Sequence, residues 1–189
     1  MFKNEIKKHP LGNIYESAID YIDNPESIVG IVDGDDKLQV NNAISKMKQL
    51  YDNNKNLLLA WSQHECTSKD YLPAMGKSKK LPTDEVIYNS YNNRYYWSVD
   101  HFRTNKVWLF HKLDKKDLIY ENTYFPFCGD AALSYPLIEM CGNERSYFLD
   151  EVLYLYRDTL ITNERLCHDN VKKYTEIIRK NNSRYEKLN

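Results

Sequence analysis

An α/β fold is what this sequence predicts, on three observations. An apolar run, Ile28-Val29-Gly30-Ile31-Val32, stops abruptly at Asp33-Gly34-Asp35-Asp36; an amphipathic stripe runs from Val40 to Tyr51; and a second apolar run spans Leu57 to Trp61. Strand, acidic loop, helix, strand is the alternation of an α/β sheet.

Taken in order, the elements follow from local pattern. Asn13 stands where a helix N-cap is wanted and Glu16 can close a capping box, with Ile14, Ala18 and Ile22 at helical spacing, so a first helix is predicted over 13–22. After Asp23-Asn24-Pro25, the run from Ile28 to Val32 reads as a buried parallel strand ending at a polar loop, the place where open α/β sheets bind ligands. Val40, Ala43, Ile44, Met47, Leu50 and Tyr51 form one apolar helical face closed by Asp52-Asn53-Asn54, and Leu57 to Trp61 is the next buried strand. From Ser62 to Pro82 periodicity vanishes, which predicts a long loop carrying Lys77, Lys79 and Lys80. The segment from Arg103 to Lys112 reads as weakly helical, and Asp130 to Met140 as a helix stopped by Gly142, with Pro136 kinking it or opening its second half. Val152 to Tyr156 is strand-like, and Val171, Tyr174, Ile177 and Ile178 give a last amphipathic helix, beyond which positions 180–189 are expected to form a flexible tail.

Composition narrows the function classes. Lys+Arg 26 against Asp+Glu 27 leaves a net charge of -1, so no global positive field gathers nucleic acid. The 16 Tyr suit carbohydrate-facing grooves and ordinary half-buried surface alike. Cys66, Cys128, Cys141 and Cys167 form no CxxC pair, so free thiols are expected; no apolar run is long enough for a membrane span, and a cytoplasmic setting is the expectation. Neither a G-x-S-x-G elbow nor a G-x-x-x-x-G-K-[ST] loop occurs.

Three constellations remain. Asp33, Asp35 and Asp36 concentrate negative charge that a hard divalent cation, Mg²⁺ or Mn²⁺, would neutralise, although Asp-Gly is also a tight-turn dipeptide. Asp130, after Gly129 at a helix start, reads from spacing alone first as a cap, with a general base for an acceptor hydroxyl as the functional alternative. Trp97, His101 and Arg103 share a face if extended: Trp97 to stack on a sugar, Arg103 to bind phosphate or hydroxyls, His101 to ligate metal, or all three as ordinary core. Glu139 reads as a salt-bridge partner with no chemistry assigned.

Several blocks, in this order, resemble family-2-type glycosyltransferases of a viral and bacterial subgroup. "GNIYESAID" with "IVGIVDGDDKL" is similar to the helix, strand and DxD loop of that group; "WSVDHFRTNKVWLF" resembles its W-x-x-x-H-[LF]-R-T segment; "GDAALSYPLIEMCG" resembles its D-x-A-x-x-x-P-[ML]-[LI]-E-M-x-G block, and "LDEVLYLYR" its following strand. The resemblance implies a partial GT-A, Rossmann-like mixed sheet flanked by helices, formed by the whole chain, 1–189, as the metal and acceptor part. It also implies a nucleotide-sugar donor, a carbohydrate, protein or lipid-linked acceptor, and inversion by direct displacement. Asp33, Asp35 and Asp36 would hold metal and donor, Asp130 would be the base, and His101 and Arg103 would lie near acceptor or diphosphate. The nucleotide-binding half with which such proteins begin has no counterpart before Asn13, so N-terminal truncation is expected, with a partner chain or a second copy covering the exposed sheet edge. A non-catalytic remnant on the same scaffold, or a metal-dependent phosphotransfer enzyme, are the alternatives.

Overall fold

The computed structural model describes residues 7–67, 78–89, 94, 98–157, 168–181 and 184–189. Its elements are α1 (His9–Asp20), β1 (Ile28–Ile31), β2 (Lys37–Leu38), α2 (Ala43–Asn53), β3 (Leu59–Cys66), α3 (Asp84–Asn89) and β4 (Arg103–Lys106), followed by two 3₁₀ turns, Val107–Lys112 and Lys115–Leu118. Then come the short strands β5 (Ile119–Tyr120) and β6 (Thr123–Tyr124), helix α4 (Gly129–Cys141), the long strand β7 (Ser146–Tyr156) and helix α5 (His168–Lys180). The α/β class read from the sequence holds: one five-stranded mixed sheet, in the order β1-β4-β3-β7-β2, is flanked by helices.

Side-chain alternation along β3 divides the apolar residues between the two faces of the sheet. Leu59 and Trp61 belong to a large core with α1 and α4, whereas Ala60 belongs to a smaller one under Ala43, Met47 and Tyr51 of α2. Helix α4 is buried on every side from Ala131 to Cys141, as expected for a central helix. It runs through Pro136 as one helix. Close approach fixes α1 against its N-terminal end, since a Cβ on Gly129 would meet Leu11 Cβ at 2.8 Å.

Several local expectations are corrected. Helix α1 begins at His9 with Pro10 in its first turn, so Asn13 is interior rather than a cap; Glu16 instead accepts from the Tyr124 hydroxyl at 2.7 Å and pairs with Lys8 and Lys115. Strand β1 is not a buried parallel strand: it lies at the sheet edge and pairs antiparallel with β4 alone among the described strands. The segment from Arg103 opens as a strand, because residues 103–106 pair antiparallel with β1 and residues 103–105 also with β3; helical geometry starts only at Val107. Strand β3 extends to Cys66, into the region read as loop, supported by parallel pairing to β7. Of the tail, residues 184–189 are docked: the Leu188 N–H donates to the Met140 carbonyl at 2.9 Å and the Tyr185 hydroxyl to Asp117 at 2.8 Å. Cys66, Cys128 and Cys141 are free thiols, and no helix among the described residues is long and apolar enough to cross a membrane.

Candidate functional site

The acidic loop is built as a turn and then tied to the far side of the sheet. The Asp36 N–H donates to the Asp33 carbonyl at 3.1 Å, closing Asp33-Gly34-Asp35-Asp36, and β2 then joins β7. That pairing brings Tyr154 to the acids. Its hydroxyl donates to Asp36 Oδ2 at 2.6 Å and accepts from the Asp33 N–H at 3.1 Å, while the Arg157 N–H donates to Asp36 Oδ1 at 2.7 Å.

From the opposite side comes the segment that leads into β4. The buried His101 ring stacks on Tyr154, with centroids 4.5 Å apart and planes 12° from parallel. One ligand atom each of Asp33, Asp36 and His101 lies within 4.8 Å of the others. Asp35, the middle acid of the sequence trio, is exposed and lies outside this group.

Electrostatics in this group are unfavourable in the free protein. Burial raises the Asp33 carboxyl above its ordinary value, opposed by Arg103 and reinforced by Asp36, Asp130 and Asp35. Burial likewise raises Asp36 against its two hydrogen-bond donors. His101 is pushed well down, by burial first and then by Arg103, so its imidazole is neutral and keeps one lone pair. Its Nε2 lies 3.4 Å from Asp100 Oδ1, while its Nδ1 is buried with no hydrogen-bond partner among the described residues. Two carboxylates that resist ionisation and a neutral imidazole with a free lone pair fit a divalent cation, whose charge relieves the first and whose coordination uses the second.

Arg103 completes the wall. It sits in β4 between Ile31 of β1 and Trp61 of β3, is 7% exposed, and leaves Nε and Nη1 without hydrogen-bond partners among the described residues. Its nearest ion-pair contact, Nη1 to Asp130 Oδ2, is 3.9 Å, beyond hydrogen-bonding range. Asp130 stands in the first turn of α4, where Oδ1 accepts from the Ala131 N–H at 2.8 Å, so it does interact with the helix start. Burial among surrounding protein raises its carboxyl, opposed by Arg103, although the side chain keeps 44% exposure and solvent screens the effect.

A cleft of about 380 Å³ gathers these groups: Asp33, Asp35, His101, Arg103 and Asp130 line it together with Tyr156 and an apolar wall that includes Leu11, Ile14 and Phe127. Acid loop and helix start, a hundred residues apart in sequence, thus face one opening. Trp97 lies outside the described residues. Sequence reasoning missed Asp100, Tyr154 and Tyr156; the i, i+2 tyrosines in a strand-like run were the available signal for the last two. The chain matches no protein-family model and no curated protein.

Proposed function

We propose that this chain is the metal-holding and acceptor-side part of a GT-A-type, family-2-like glycosyltransferase. In this reading it transfers a sugar from a nucleotide-sugar donor to an acceptor hydroxyl with inversion. The observation that carries the reading is the convergence of Asp33, Asp36 and His101, with Asp33 and His101 lining a cleft that Arg103 and Asp130 share. The reaction class rests on the four resembling sequence blocks. A β1 that lies at the sheet edge among the described strands and delivers the acid loop is compatible with a donor half supplied alongside it.

Asp33, Asp36 and His101 would hold the cation, and this mixed oxygen and nitrogen set suits Mn²⁺ better than Mg²⁺. When bound, the cation supplies charge neutralisation for the departing diphosphate. Asp35, exposed beside it, is assigned to the donor. Arg103 offers its two free N–H groups to phosphate oxygens, a pairing stronger than one between neutral groups. Asp130, with a carboxyl raised above its ordinary value, accepts the acceptor's proton as the hydroxyl oxygen bonds to the anomeric carbon and the diphosphate oxygen leaves. Trp97 keeps its sequence-based role of stacking on a sugar ring.

Calorimetric titration of Mn²⁺ into the chain and into Asp33→Asn and Asp36→Asn, with donor hydrolysis assayed across several nucleotide sugars, tests this. Binding that both variants lose, with metal-dependent turnover, is expected. Unchanged Mn²⁺ affinity in both variants removes the reading. Clean binding without turnover on any donor supports the alternative, a non-catalytic binding module; activity on nucleotides lacking a sugar supports phosphotransfer.

A further inference from the structure

His64 belongs to none of the sequence constellations, yet it is the most conspicuous unexplained polar group near the cleft. It lies in the middle of the sheet, 4% exposed, and neither of its ring nitrogens has a hydrogen-bond partner among the described residues. An imidazole so placed costs stability, because at least one donor and one acceptor are removed from water without compensation. Its position is set by an irregularity in the β3–β7 ladder: the register shifts on both sides of Gln63, and His64 then comes opposite Tyr154. Bulges of this kind re-aim side chains beside functional sites.

What His64 stands beside is the group of Asp33, Asp36 and His101. Its ring stands edge-on to that of His101, centroids 5.9 Å apart at 88°, and its cross-strand neighbour Tyr154 is the residue that holds Asp36 and stacks on His101. His64 is not itself one of the three groups within mutual ligand distance. A divalent cation held by only three protein atoms keeps several hydration waters, each of which needs a hydrogen-bond acceptor or donor around it.

Resting on the metal reading above, we infer that His64 is a positioning residue for the cation held by Asp33, Asp36 and His101. Its ring nitrogens are reserved for the hydration water that the cation brings. This role accounts for a buried side chain, unpaired among the described residues, at a strand irregularity, which a purely structural histidine does not.

The test titrates Mn²⁺ calorimetrically into wild type, His64→Phe and His64→Gln, and records the metal-free melting temperature of each. The Phe variant is expected to bind Mn²⁺ about 10–100-fold more weakly. Its metal-free melting temperature should be no lower than that of wild type, since an unpaired polar group has been removed, and the Gln variant should recover part of the affinity. Wild-type affinity in the Phe variant overturns the inference, as does a loss of affinity that parallels a loss of metal-free stability in both variants. Should the Phe variant not fold, His64→Ala is judged by the same affinity criterion. No Mn²⁺ binding by wild type overturns the metal reading, and this inference with it, whereas binding by wild type that is indifferent to position 64 overturns this inference alone.

Discussion

Two regions of this molecule bury charge, and they do it in opposite ways. At one, Arg94 Nε and Nη2 each donate to a Glu139 carboxylate oxygen at 2.8 Å, Nη1 donates to the Ile178 carbonyl at 3.0 Å, and the Tyr185 N–H adds a further bond to Glu139 at 3.2 Å. At the other, Arg103 leaves Nε and Nη1 without hydrogen-bond partners among the described residues, Nη1 lying 3.9 Å from Asp130, and the half-buried Asp33 and Asp36 both have raised carboxyls, Asp36 adding to the rise at Asp33. The first cluster is closed by hydrogen bonds and ties α4 to α5 and the C-terminal residues. The second is left open toward a cleft. Buried charge that serves structure is satisfied within the chain, whereas charge only partly satisfied beside an opening is what a ligand-binding site requires.

Breaking the closed cluster should have the largest effect. Glu139→Ala strands the Arg94 guanidinium in the core and is expected to lower unfolding free energy by about 3–5 kcal/mol in urea denaturation. A loss below about 1 kcal/mol would mean that water replaces the carboxylate and that the two clusters differ less than their geometry indicates.

Next comes the helix-start carboxylate of the open cluster. Asp130→Asn should reduce sugar transfer by about 10²–10⁴-fold while Mn²⁺ affinity and melting temperature change little. A base must be ionised, and burial raises this carboxyl above its ordinary 3.8, so activity should decline as pH falls through a limb lying above that value. A profile flat down to the ordinary carboxylate range would assign Asp130 to helix capping alone.

The smallest effect sharpens the contrast most. Because the Asp33 carboxyl is raised in the folded state, the folded chain holds that proton more tightly than the unfolded one. The associated stability is present below the unfolded pKa and is lost as pH rises through the folded value. Above the folded value the metal-free protein is therefore destabilised by an ionised Asp33. Asp33→Asn should raise the metal-free melting temperature by a few degrees and weaken its decline with pH, and saturating Mn²⁺ should reverse the ranking. A lower metal-free melting temperature in the variant would show that Asp33 is held by structure and not for a ligand.

Much of this organisation was legible in the residues, and the failures have physical causes. The α2 stripe and the apolar runs of β1 and β3 were read correctly as elements, because burial of a periodic face is a local requirement. Strand direction was not legible: β1 pairs antiparallel with β4, a partner more than seventy residues away, and its apolar run is the same for either direction. Arg103 to Lys106 carries too little apolar alternation to announce a central strand, since Thr104 and Asn105 are buried polar residues supported by neighbours, the Thr104 Oγ1 donating to the Ala60 carbonyl at 3.2 Å. The tail looked disposable because its polar composition hid the contacts of Tyr185 and Leu188.

The candidate site divides along the same line. The acidic turn, the helix-start Asp130 and the His101 and Arg103 pair could be singled out from residue type and spacing, because chemistry needs those groups wherever they lie. Only the tertiary structure decided that His101 joins Asp33 and Asp36 while Asp35 does not, that Tyr154 anchors the acids, and that His64 stands behind them. Local sequence fixes which backbone a segment prefers and which side chains carry charge. Which charges meet depends on strand order and register, set by the burial of faces contributed from distant parts of the chain.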